Sequence, residues 1–204
     1  MKRSSKIVLS LTALILIVKV GLDFINKEDP KESMRKNILY QVGYRITEVK
    51  PIEVTIQVNG SYMPKDDKLL SYFNEPIEVK ELVYEGNNSM IYLDRIQGND
   101  NSFLRLYFNK QENIEKDRGE FLSIGNVEYD TNKDYSFISS SGKTITLYDK
   151  NNNLVEKNAL WLSMIYENED FIISIKKDVL NKVKYPLTIK ISEFNIVEYE
   201  QKYQ

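Results

Sequence analysis

The 204-residue chain contains 30 acidic residues and neither histidine nor cysteine. Its reactive groups are therefore carboxylates, hydroxyls and amines. Without histidine there is no Ser-His-Asp or Cys-His catalysis and no histidine-ligated zinc. Without cysteine there are no thiol nucleophiles, cysteine zinc sites or iron–sulfur clusters. Among the hydroxyls, Ser141-Gly-Lys-Thr144 ends like a phosphate-binding loop, but Phe137 stands where the first glycine must be. Ser140-Ser-Gly-Lys143, Ser33-Met-Arg-Lys36 and Ser174-Ile-Lys-Lys177 each fit the S-x-x-K spacing of serine/lysine acyl enzymes. Neither S-D-N nor K-T-G accompanies them, and three such matches are what chance gives in a lysine-rich chain.

The carboxylates offer two calcium-like runs, Asp130-x-Asn132-x-Asp134 and Asp149-x-Asn151-x-Asn153. An EF-hand loop needs glycine at its sixth position and glutamate at its twelfth. Tyr135 and Ser141 occupy those positions in the first run, and Leu154 and Leu160 in the second, so both read as polar turns. The acidic hairpin Tyr166-Glu-Asn-Glu-Asp170 is the densest place to seek a carboxylate pair for glycoside hydrolysis. A charged turn between two apolar strands is the simpler reading. Trp161, the only tryptophan, lies in Leu160-Trp-Leu-Ser-Met-Ile-Tyr166, apolar on both faces. That pattern predicts a central strand covered on both sides, with Trp161 in the core rather than serving as a sugar platform. No residue is singled out as catalytic, cofactor-binding or metal-binding, and no cofactor is expected.

The elements that would position these residues are mostly strands. Ile52, Val54, Ile56 and Val58 alternate with Glu53, Thr55 and Gln57, and Asn59-Gly60 ends the run as a turn. The run from Pro76 starts alike but shifts phase at Glu81-Leu82-Val83, which predicts a bulge. Glu85-Gly-Asn-Asn88 turns the chain into 90–93. Further strands are expected over 103–108, 120–129, 144–148, 160–166, 171–175 and 187–191. Pro51, Pro76 and Pro186 each open an alternating run, where a missing N–H does least harm. Residues 176–184 read as a helix of about two turns. Turn residues recur roughly every 8–15 positions, which predicts an all-β chain folded as an antiparallel β-sandwich. The sequons at Asn59 and Asn87 read as chance in an asparagine-rich chain.

The N-terminus sets the location. Lys2, Arg3 and Lys6 precede an uncharged run from Ile7 to Val18, an order that orients insertion with the basic end in the cytoplasm. As a helix this run rises roughly 18 Å, short of the ~30 Å hydrocarbon layer. Its length suits a signal peptide, but no small-residue cleavage pattern follows. A signal-anchor over 1–22 is therefore favoured over a cleaved signal. Residues 23–37 are densely charged and read as a stalk or short helix, with Asp29 capping and Pro30 at its first position. Residues 38–204 form the extracytoplasmic domain. The first 22 residues take four of the 28 basic residues and none of the acids, so the rest nets about −6. The two signs are interspersed, which leaves no stripe for nucleic acid. The lack of cysteine leaves stability to the core, and with a Lys/Asn/Ile/Tyr-rich composition it suggests a low-GC Gram-positive bacterium.

Anchor, charged stalk and all-β region resemble, in that order, the extracytoplasmic part of Gram-positive anti-sigma-type membrane proteins with an Ig-like domain. The resemblance rests on Pro76-Ile-Glu-Val-Lys-Glu-Leu-Val-Tyr-Glu-Gly86 with the following strand, on 144–153, and on Tyr185-Pro-Leu-Thr-Ile-Lys-Ile191, about a third of the chain. It implies an Ig-like sandwich serving as a sensing or interaction module. Only six residues precede the apolar run, so the family's cytoplasmic sigma-binding domain has no counterpart, and signalling would pass through another membrane protein. The expected function is a non-enzymatic, membrane-tethered domain that binds a protein partner or envelope component. The alternative is a carboxylate-dependent hydrolase of envelope glycans, or third, an accessory subunit of a larger envelope machine.

Overall fold

The computed structural model describes residues 30–63, 76–99, 103–124, 126–129, 136–139, 145–155, 160–165, 170–180 and 182–202. The apolar N-terminal run, the calcium-like run 130–134, the serine motif at 140–143 and most of the acidic run, 166–169, lie outside them. A helix α1 (Pro30–Leu39) precedes eleven strands: β1 (Tyr44–Val58), β2 (Ile77–Gly86), β3 (Ser89–Asn99), β4 (Phe103–Glu112), β5 (Arg118–Ser123), β6 (Asn126–Tyr129), β7 (Ser136–Ser139), β8 (Ile145–Tyr148), β9 (Leu160–Ile165), β10 (Asp170–Lys176) and β11 (Leu187–Gln201). A single helical turn, α2 (Lys177–Leu180), follows β10.

The fold is an antiparallel β-sandwich. Sheet A has the order β1-β11-β5, with β8 pairing the other half of the same edge of β11. Sheet B has the order β2-β3-β4-β10-β9, and β6 pairs with β7. Alternation along the strands sends every second apolar side chain inward. Ile91, Leu93, Leu104, Leu106, Phe108, Phe171, Ile173 and Ile175 of sheet B are buried against Val54, Ile56, Val58, Leu187, Ile189 and Ile191 of sheet A. Phe171 stacks on its neighbour Phe108 at 4.7 Å between ring centres and meets Phe194 of the opposite sheet edge-on at 5.9 Å.

β11 is three times the length its alternation suggested, because a bulge hides its second half. Phe194 pairs with Ile52, but Ile191 pairs with Val54, so β11 spends one extra residue there. The phase flips across that bulge. Leu187, Ile189, Ile191 and Phe194 face sheet B, whereas Val197 and Tyr199 face the other way. There Ile38 and Leu39 of α1 cover them, together with Tyr44, Ile46 and Phe121. Sheet A is thus covered on opposite faces at its two ends.

Several local expectations are corrected. Among the described strands β9 lies at the edge of sheet B, paired with β10 alone, so Trp161 is not on a central strand. Pro51 sits inside β1 rather than opening it. It is tolerated there because β1 is the outer strand of sheet A and has a ladder on one side only. The strand expected over 120–129 divides into β5 and β6, and the helix expected over 176–184 is only one turn. The bulge in β2 falls between Glu78 and Glu81, with Lys80 at φ 55°, and a second shift lies between Leu82 and Tyr84.

Candidate functional site

The charged end of sheet A forms a recess. Past the bulge, alternate residues of β11 point away from α1, and the register aligns them with β1 and β5. One row reads Arg45, Glu200, Arg118, and the next reads Glu48, Glu198, Glu120. Like charges directly opposite one another are destabilising in a sheet. Lys50 relieves part of that repulsion: its ammonium donates to Glu198 Oε1 at 2.6 Å and lies 2.9 Å from Glu48 Oε2. Those two bonds, Glu198 first, raise the Lys50 pKa well above its ordinary value. Arg45 pairs with Glu200 in the same way.

The β2–β3 hairpin turn walls the recess. Asn87 and Asn88 both have positive φ, 51° and 52°, the conformation of a two-residue type I′ loop that asparagine tolerates. The turn is tied across to sheet A. Asn87 Nδ2 donates to Glu120 Oε1 at 3.3 Å and Asn88 Nδ2 to the Glu120 carbonyl at 3.4 Å. Ser89 Oγ accepts from the Leu122 N–H at 3.0 Å. Tyr84 donates to Asn87 Oδ1, and burial, then the Glu120 charge, push its phenol up. Gly119 completes the floor. A Cβ there would lie 2.8 Å from the Tyr199 hydroxyl, so the ring crosses the strand only because this residue is glycine. Between turn and sheet lies an open, polar groove of about 500 Å³, whose lining includes Thr47, Asn88, Glu115, Arg118, Glu120 and Glu198.

Glu48, Glu198 and Glu200 each face a cation, and Glu120 accepts an amide, so these carboxylates are held by the protein itself. Among the described residues no three acidic side chains converge as a metal site.

The positions singled out by sequence lie elsewhere. Asp149 caps its own turn: Oδ1 accepts the N–H groups of Asn151 and Asn153, both at 2.9 Å, and Oδ2 accepts Asn153 Nδ2 at 3.1 Å. The bond from the Asn153 backbone is the main cause of its lowered pKa. These are the bonds of a polar turn. Asp170, the described residue of the acidic hairpin, fastens β10 to β4. Its Oδ1 accepts Asn109 Nδ2 and the Lys110 N–H, both at 3.2 Å. Burial is the largest cause of its raised pKa, and the nearby Asp94 adds to it. It is not part of the groove. Ser174 lies in β10 opposite Arg105 and Trp161 in register. Arg118, Glu120, Glu198 and Glu200 belong to no motif in the sequence. The available signal was Glu198 and Glu200 alternating with Val197 and Tyr199, a strand with one charged face.

No family model matches the chain, and no curated protein or solved structure is significantly similar to it. Among the described residues no helix is long and apolar enough to cross a membrane.

Proposed function

We propose that this chain is a non-enzymatic, membrane-tethered extracytoplasmic domain that binds a protein partner or an envelope component through the charged end of sheet A. The groove carries this reading. It is open and polar, its carboxylates are committed to Lys50, Arg45 and Asn87, and Arg118 and Glu115 on its rim have side chains to offer a partner. Localisation rests on the sequence, where the apolar run 7–18 behind Lys2, Arg3 and Lys6 would hold the domain outside the membrane of a Gram-positive cell. The Ig-like reading extends the sandwich architecture by the resemblance of 76–86, 144–153 and 185–191. Cross-linking in intact cells, followed by capture through a C-terminal tag, tests the proposal. One dominant partner is expected for the wild type, and its yield should fall at least tenfold in an Arg118→Glu, Glu120→Lys double variant. Equal recovery with both proteins would refute the groove as the binding surface.

A second reading, a carboxylate-dependent hydrolase of envelope glycans, draws on Asp170, a half-buried carboxyl whose pKa burial raises. Incubating purified full-length protein with cell-wall material tests it. Hydrolysis by the wild type that disappears in Asp170→Asn would favour this reading over the first.

A further inference from the structure

Helix α1 is held to the domain through its C-terminal part by two different devices. At the C-terminal end the chain closes in a Schellman arrangement. The Val42 N–H donates to the Asn37 carbonyl at 2.7 Å and the Gln41 N–H to the Ile38 carbonyl at 3.0 Å, with Gln41 at φ 55° where glycine is usual. The C-terminal segment then fixes this corner: Lys202 donates its N–H to the Gly43 carbonyl at 2.9 Å and its ammonium to the Gln41 carbonyl at 3.3 Å. One turn and a half earlier, the attachment is ionic. Arg35 Nε lies 3.9 Å from Glu112 Oε2 with side chains only 6% and 9% exposed. The Glu112 carboxylate also accepts Lys110 Nζ, whose side chain is 1% exposed and which donates at 2.5 Å to the Leu122 carbonyl.

Such a buried ionic attachment fixes geometry better than it adds stability, because desolvating the charges offsets most of their attraction. The helix itself is short. It is ten residues long, too short to persist without tertiary contacts, and in its docked part the buried apolar side chains are Ile38 and Leu39, with Met34 partly covered. The cluster it caps is separate from the core between the sheets.

We propose that α1 is a releasable latch, which pivots at Gln41–Gly43 when the Arg35–Glu112 contact opens and uncovers the apolar end face of sheet A while the sandwich stays folded. The residue order suits such a device, since whatever acts on the chain before Pro30 reaches the domain through α1 and meets the Arg35 end first. The inference does not depend on the binding function proposed above.

Hydrogen exchange followed by mass spectrometry on the purified full-length chain tests the latch. In the wild type, amides of 34–42 should exchange by an opening that barely depends on low denaturant, whereas those of β4 and β10 exchange only by global unfolding. Arg35→Ala, which leaves the Lys110–Glu112 pair in place, should speed exchange in 34–42 at least tenfold and leave β4 and β10 unchanged. The proposal is overturned if helix and strands show the same denaturant dependence in the wild type, a result that stands even if the variant does not fold. It is overturned equally if Arg35→Ala accelerates all of them together or none.

Discussion

Two side chains tie the local chemistry to measurable pH behaviour. Burial raises the Asp170 carboxyl above its ordinary 3.8. The native state therefore holds that proton more tightly than the unfolded chain, and the contribution of Asp170 improves as pH falls through its folded value. Asp170→Asn retains an oxygen to accept Asn109 and Lys110 but cannot ionise. It should be slightly more stable than wild type at about pH 7, by less than about 1 kcal/mol, with the difference vanishing toward about pH 4. Thermal melts at several pH values would show it, and a difference that grew on acidification would contradict the assignment. Tyr199 follows the same sign at higher pH. Burial lifts its phenol to about 12 from 10.0, so its contribution is complete below pH 10 and is lost as pH rises from there toward 12. Its hydroxyl donates to the Glu115 carbonyl at 2.6 Å. Tyr199→Phe should cost about 1 kcal/mol at neutral pH, and urea titrations should show that deficit shrinking above about pH 10. Tyr185, also raised to about 12 by burial, remains in the variant and preserves part of the alkaline decline.

At the scale of elements, the legible parts were those whose signal is local. Asn59-Gly60 was readable as a turn, and the structure adds why glycine is needed: a Cβ on Gly60 would lie 2.4 Å from Tyr185 Cβ. Glu85-Gly-Asn-Asn88 was readable as a hairpin turn, and the phase break in β2 as a bulge. The missed parts depend on partners distant in sequence. The second half of β11 and the first half of β1 become strands by pairing with each other, Tyr44 with Gln201 through Val49 with Val197, and their mixed polarity reflects a sheet covered by α1 on one face and charged on the other. The candidate groove was illegible for a like reason, since Glu198 and Glu200 meet Glu120 and Arg118 through the β11–β5 register and Asn88 reaches Glu120 from the other sheet. The turn supplies a direct test. Asn88→Val places a β-branched residue at φ 52° and should cost about 1–3 kcal/mol. Asn88→Gly, free of that strain, should change stability by less than about 1 kcal/mol. Equal costs in chemical denaturation would mean that the turn conformation is not what the position demands.

Among the described residues the molecule combines two cores with a charged end. The large core joins the sheets through Phe108, Phe171 and Phe194, and the smaller one places α1 on the outer face of sheet A. This arrangement leaves the groove face of the same strands open to solvent, bounded by the β2–β3 turn. Binding at that face makes a spatial prediction that no single substitution captures. A photo-activatable cross-linking residue placed at Glu120 in the groove, compared in living cells with one at Lys80 on the outer strand of sheet B, is the most direct measurement. The account predicts a discrete adduct from position 120 and none from position 80. Adducts of equal yield from both positions, or from position 80 alone, would contradict it.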